Sequence, residues 1–368
     1  MPDWNLKITK PDDSEAMTPS LDNRELISPK GAHRIDEAAL NRYLASRITG
    51  FEGNGNIRQF LGGQSNPTFL IDDASGQYVL RKKPPGSLLP SAHAVDREFR
   101  IISALQKTRV PVPKTYFLCQ DDQVIGQMFY VMEYVSGRVI DRNDLPGCEA
   151  NERTTILHSM AQVFGVLHSI DYQNLGLGDF GRPTNYVARQ VSRWTKQYEA
   201  SSTESFKIMD QLIDWLKENN PEDEQSSIVH GDFRPGNMIF HNEKLTVKAV
   251  LDWELSTIGH PLADLGYFLV PYRINAGPQS IGIKGLDLDK LGIPTEQSLL
   301  ETYSKFSGQS SLQNIDYYIA FAMFRLAAIL AGVLRRGLDG NAADPRAIER
   351  GQLYKQLTHS AWAIASKA

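Results

Sequence analysis

Cysteine is nearly missing: Cys119 and Cys148 are the two in 368 residues. Two thiols build neither a disulfide framework nor a cysteine metal cluster, so a reducing, cytoplasmic setting is expected. A strong charge of either sign is missing as well. Lys and Arg number 39 against 43 Asp and Glu, a net charge of −4. That balance gives no general reason to expect nucleic acid or an anionic membrane as a partner. No Gly-x-x-x-x-Gly-Lys-Ser/Thr, no Gly-x-Gly-x-x-Gly after a strand and no His-Glu-x-x-His occurs, which excludes P-loop, Rossmann and zincin chemistry. Internal repeats and low-complexity tracts are absent too. Residues 1–30 mix Pro, Asp, Ser and Lys without an apolar stretch, reading as a flexible arm and not a signal peptide.

A single stretch, residues 317–334, is apolar and of spanning length, but Arg325 stands at its centre. The expectation is a buried helix of a large lobe and no membrane. Hydrophobic content of 41% and charged content of 22% suit a soluble enzyme with room for two lobes.

In chain order, apolar residues at helical spacing give an opening helix over 35–48. Residues 57–72 read as a hairpin around Gly62-Gly63-Gln64-Ser65-Asn66, whose backbone N–H groups and small polar side chains could lie over phosphates. A strand over 78–82 ends in Arg81-Lys82-Lys83. Strand alternation puts Val79, Arg81 and Lys83 on one face and Lys82 on the other, leaving open which cation faces the site. A helix over 91–108 carries Glu98 beside its apolar face, where it could turn inward to meet that cation. Strands follow over 114–119 and 129–135, the second breaking into Ser136-Gly137. The remainder reads as mostly helical: 151–169, 185–200, 203–219, a helix starting at 259–266, then 312–334 and 343–365. Residues 274–294 are Gly-rich and irregular, a rim or lid. His168 is expected to pack or cap. Asp264, inside an apolar run, is expected to tie a loop by hydrogen bonds.

The most informative stretch is 228–240, Ile-Val-His-Gly-Asp-Phe-Arg-Pro-Gly-Asn-Met-Ile-Phe. Apolar pairs anchor both ends of a loop of His, Asp, Arg and Asn that no core absorbs unpaired. Asp232 and Asn237 are five positions apart, the spacing of the kinase catalytic loop His-Arg-Asp-x-x-x-x-Asn. Asp252 follows at a strand end in Val-Leu-Asp-Trp-Glu, where kinases carry a metal-binding acid.

On these motifs the chain resembles the aminoglycoside phosphotransferase-like (choline/aminoglycoside kinase-like) family, with its His-Gly-Asp-x-x-x-x-Asn loop and Ile-Asp-Trp/Phe-Glu motif. The resemblance implies an α+β, bilobal protein-kinase-like fold. A small antiparallel lobe of five strands and a helix would span residues 31–135, and a mainly helical lobe 136–368. It implies ATP and Mg²⁺ as cofactors, with Asp232 taking the acceptor proton and Asn237 and Asp252 holding metal. Arg81 with Glu98 would set the phosphates, and Gly63, Ser65 and Asn66 would form the nucleotide turn. Adenine would meet backbone groups near Glu133 and Val135. The strand end Tyr-Val-Leu-Arg-Lys-Lys-Pro-Pro-Gly and the loop His-Gly-Asp-Phe-Arg look like the branch associated with acyl-CoA dehydrogenases. That implies a hydroxyacyl thioester as the small-molecule acceptor and a functional association with such a dehydrogenase. An aminoglycoside-type kinase and a catalytically silent nucleotide-binding module are the rival readings. For Arg325 two expectations stand: a structural pair with an acid such as Asp264, or a grip on the acceptor.

Overall fold

The computed structural model describes residues 25–29, 31–61, 66–85, 93–222, 225–277, 280–309, 311–342 and 344–367. They fall into two compact units, one within Met1–Asp141 and Pro235–Ser256, the other within Arg142–Arg234 and Thr257–Ala368.

The first unit is built on an antiparallel sheet. Its strands are β1 (Leu26–Ile27), β2 (Asn56–Phe60), β3 (Thr68–Asp73), β4 (Gly76–Lys82), β5 (Thr115–Cys119) and β6 (Phe129–Glu133), in the order β1-β2-β3-β4-β6-β5. Helix α1 (Glu37–Ala45) starts at Asp36, whose carboxylate accepts the Ala39 N–H at 2.9 Å. It buries Leu40 and Leu44 against Ile57, Phe69, Ile71, Leu80, Phe129 and Val131. Helix α2 (Val95–Leu105) buries Val95, Ile101, Ile102 and Leu105, and Glu98 with them.

Two boundaries differ from the expectation. The sheet has six strands, because Leu26 and Ile27, within the stretch read as a flexible arm, pair with Phe60 and Gln59 on the open edge of β2. The hairpin of β8 (Met238–Phe240) and β9 (Val247–Val250) belongs to this unit, whereas β7 (Ser227–Val229) and β10 (Thr257–Gly259) belong to the other. Backbone pairing is the cause. Arg138 and Phe240 exchange hydrogen bonds at 3.0 and 2.9 Å, and the Val250 N–H reaches Pro111 O at 2.9 Å. Gly137 permits that approach. Its φ is +156°, and a Cβ there would stand 2.5 Å from both Ile239 and Phe240 O.

The second unit is mainly helical: α3 (Ala150–His168), α4 (Tyr186–Ser201), α5 (Lys207–Glu218), α6 (Pro261–Arg273), α7 (Leu288–Leu291), α8 (Glu296–Ser307), α9 (Ile315–Leu338) and α10 (Ala347–Ala365). The short pair β7–β10 sits within it. Helix α9 is long and apolar enough to cross a membrane, yet 72% of its apolar window is buried. It packs on α10, α6, α4 and α5, which is how a core helix of a helical lobe satisfies an all-round apolar surface. Helices α6 and α9 come close at Gly266, where a Cβ would lie 2.5 Å from Tyr318 O. Among the described residues of the stretch expected as an irregular rim or lid, Ile283 N–H bonds Pro271 O at 2.8 Å and α7 forms a short helix.

Candidate active site

In the first unit four charged side chains converge. Arg81, on β4, places Nε 3.1 Å from Glu98 Oε2 and a terminal nitrogen 2.7 Å from Asp252 Oδ1 and 3.5 Å from Glu254 Oε2. The strand alternation that left the cation open is thereby read out. Lys82 points to the opposite face, buried, with Nζ 3.2 Å from Gln127 Oε1. Lys83 lies 4.0 Å from Asp96. Glu98 is 1% exposed, and burial pushes its carboxyl up to about 7 although Arg81 works the other way. Burial works to lower Arg81, but Glu98, Tyr130 and Asp252 hold it above its ordinary range.

Asp252 stands just after β9, at the start of the 3₁₀ turn Trp253–Leu255, in the left-handed region, φ 62° and ψ 58°, uncommon for a residue with a side chain and often a mark of a functional position. The turn is locked by Trp253, which is buried and donates its indole N–H to Val250 O at 3.0 Å. On the facing strand end, Asn237 O accepts the Leu251 N–H at 2.8 Å, so Asn237 and Asp252 stand at the same end of the β8–β9 hairpin. Asn66 is 1% exposed and joins this group, its Nδ2 3.5 Å from Glu254 Oε2 and its Oδ1 3.2 Å from His93 Nδ1. Gly63 and Ser65 lie outside the described residues. Glu133 ends β6, its N–H on Lys114 O and its carboxylate on Lys114 N–H. Val135 packs with Ile239 and Ala249, and Val139 and Leu251 lie partly buried beside them.

These residues fit a divalent cation bound with phosphate. Asp252 and Asn237 offer oxygen donors, the choice of a hard ion. Three acids against one guanidinium leave the Arg81 cluster at −2 when all are ionised. Among the described residues no group of three His, Cys, Asp or Glu would hold a metal alone, so ligands from a phosphate chain would have to complete the shell.

The second unit carries the His230–Arg234 loop, which follows β7. Phe233, 1% exposed, stacks on Phe164 with centroids 3.9 Å apart and anchors the loop in the core. Asp264 on α6 accepts the N–H groups of His230 and Gly231 at 2.6 and 2.9 Å, the loop-tying role its apolar surroundings predicted. Burial works to raise the Asp264 carboxyl, but its bond from His168 and the backbone N–H of His230 hold it below its ordinary range. His168 is buried between that carboxylate at 3.5 Å and Tyr303 OH at 2.8 Å, a packing residue as expected. His230 Nδ1 accepts the Asp232 N–H at 3.2 Å, which makes that nitrogen the unprotonated one.

Asp232 accepts a very short hydrogen bond from Tyr267 OH on Oδ1, and Arg234 Nε lies 3.5 Å from Oδ2. Arg325 does not meet the Asp264 carboxylate. Its guanidinium donates to Gly231 O at 2.6 Å, with its carbon 5.7 Å from the Tyr267 ring and 5.9 Å from Trp194. A backbone carbonyl and two aromatic faces stabilise this cation, while the carboxylate expected for it is occupied by backbone N–H groups. Sequence reasoning assigned no role to Tyr267, Glu254, His93 or Trp194. Two had a signal: Glu254 closes the Asp-Trp-Glu motif, and Tyr267 stands three residues after Asp264 and so on the same helical face.

The sequence profile of the phosphotransferase enzyme family matches residues 56–287, and the chain belongs to that family. The fold is likewise that of the kinase-like phosphotransferases. Among solved structures, a Ralstonia eutropha JMP134 protein provisionally assigned as an aminoglycoside phosphotransferase is 44% identical, with a TM-score of 0.84 over 91% of this chain and 99% of that one. Mouse acyl-CoA dehydrogenase family member 10 is 45% identical over 335 residues, 90% of this chain and 31% of its own length. Human acyl-CoA dehydrogenase family member 11 is 42% identical over 322 residues, 84% of this chain and 40% of its own. The chain thus spans under half the length of these curated relatives. Choline kinase from Cryptosporidium parvum shares the fold at 14% identity, with a TM-score of 0.59 over 87% of this chain and 94% of its own.

Proposed function

We propose that the protein transfers the γ-phosphoryl group of ATP, with Mg²⁺, to a hydroxyl of a small molecule, and that the acceptor is a hydroxyacyl-CoA-type metabolite. The observation that carries the nucleotide half is the Arg81 cluster: a cation fixed by a buried acid and aimed at the carboxylate expected to hold metal. Two features favour an anionic acceptor over a polycationic antibiotic. The similarity to acyl-CoA dehydrogenase family members extends over 84–90% of the chain. In the second unit Arg325, Arg189 and Arg193 act electrostatically on the half-buried Tyr186, outnumbering the acid acting on it, Asp264.

In this reading Asp252 and Asn237 hold Mg²⁺, which when bound would neutralise charge developing on the phosphates. Arg81, kept in place by Glu98, orients the phosphate chain. The partly buried Val139 and Leu251, backed by the buried Val135, Ile239 and Ala249, would meet adenine, and backbone groups near Glu133 and Val135 take its polar edge. Asp232, joined to Asn237 by five positions of chain, orients the acceptor hydroxyl and receives its proton. Asn66, beside Glu254, takes part at the phosphates. Catalysis comes mainly from alignment and neutralised charge.

ADP release measured across a panel of hydroxyacyl-CoAs, free hydroxy acids and aminoglycosides tests the acceptor. Release stimulated by hydroxyacyl-CoAs and not by aminoglycosides is the expected result. Stimulation by aminoglycosides alone would move the acceptor class to the antibiotic type.

A further inference from the structure

Within the second unit, helix α6 sends two side chains to the same loop. Asp264 and Tyr267, one turn apart, share a face, and Asp264 holds the loop backbone while Tyr267 holds the Asp232 side chain. Burial, and after it the charge of Asp232, pushes the Tyr267 phenol far above its ordinary range, so its hydroxyl remains a donor at any working pH. Behind Tyr267 lies Arg325, its guanidinium carbon 5.7 Å from the phenol ring and 5.9 Å from the Trp194 indole, and its N–H on Gly231 O. A cation against two rings, tied to the residue before Asp232, cannot shift without moving either the loop or the phenol.

We propose that Tyr267 is a positioning residue that fixes the orientation of the Asp232 carboxylate, and that Arg325 with Trp194 acts through it. The proposal rests on the phosphotransfer reading above. With Oδ1 accepting the hydrogen bond from Tyr267, the acceptor hydroxyl delivers its own proton to Oδ2, the oxygen beside Arg234. The acceptor oxygen forms a bond to the γ-phosphorus as the bond from that phosphorus to the β–γ bridging oxygen breaks, and the electron pair stays on ADP. Tyr267 keeps its proton throughout. Arg325 in this arrangement acts on the loop and the phenol, in place of the carboxylate pair with Asp264.

The test compares the full chain with Tyr267→Phe, Arg325→Met, their double variant and Asp232→Asn. Magnesium-dependent ADP formation is followed with water as acceptor, beside melting curves and the ATP KM. Tyr267→Phe keeps the ring and is expected to lower kcat about 10- to 100-fold, with the ATP KM within about twofold, since a misaligned base retains part of its effect. Arg325→Met should also lower kcat, and the double variant should lose little more than the worse single, because both act on one carboxylate. Rescue of Tyr267→Phe toward wild-type kcat is not expected from any change at Arg325. If Asp232→Asn is crippled while Tyr267→Phe turns over like the wild type, the positioning role is overturned and phosphotransfer stands. If Asp232→Asn itself turns over normally, both fall. A double variant whose losses multiply would remove Arg325 from the proposal.

Discussion

Arg81 and Asp252, 171 positions apart in sequence, meet in a 2.7 Å ion pair in the first unit. The guanidinium therefore supplies the counter-charge to Asp252 that a divalent cation would share during turnover. An acid so placed, already sharing a guanidinium, should bind metal weakly alone and well with a phosphate chain.

Asp252→Ala should accordingly abolish the magnesium dependence of nucleotide binding. Calorimetry of ATP with and without Mg²⁺ checks this, and identical isotherms for the variant and parent in both conditions would place the metal elsewhere.

Glu98 gives a pH-dependent expectation. Its carboxyl in the folded apo-protein is raised to about 7 from an ordinary 4.5. The folded state thus holds a proton that the unfolded chain releases, and this contribution is full below about 4.5 and lost as pH rises through about 7. Glu98→Gln mimics the protonated form. Its melting temperature relative to the parent should rise between pH 5 and pH 8, and a constant difference across that range would contradict the assignment.

Gly266 tests the crossing of α6 and α9 without touching a charged group. Gly266→Ala places a Cβ 2.5 Å from Tyr318 O, a backbone atom with little room to yield. Overpacking of this kind costs about 1–3 kcal/mol. Chemical denaturation should show that loss, and kcat should fall with it because Asp264 and Tyr267 flank the strained position.

Much of the site was legible because its chemistry imposes fixed spacings. Asp232, Asn237 and Asp252 stand out as polar residues that apolar strand ends cannot bury alone, and the inward turn of Glu98 follows from helix periodicity. What could not be read is contact across long sequence distance. Nothing local says that Glu254 meets Arg81, that Asn66 meets His93, or that Arg325 chooses a carbonyl and two rings over the Asp264 carboxylate. The sixth strand was hidden because Leu26–Ile27 is too short for periodicity to register, its existence depending on the edge β2 offers. The membership of residues 235–256 in the first unit likewise comes from backbone pairing with 111 and 138, which composition does not encode.

The central claim is phosphotransfer with Asp232 as the proton acceptor, and Asp232→Asn tests it most directly. ATP affinity by calorimetry and magnesium-dependent turnover should be measured on one preparation. The expected result is near-parental ATP binding with turnover lowered by a factor on the order of 10²–10⁴, as loss of an aligned base requires. Near-normal turnover in that variant would contradict the account.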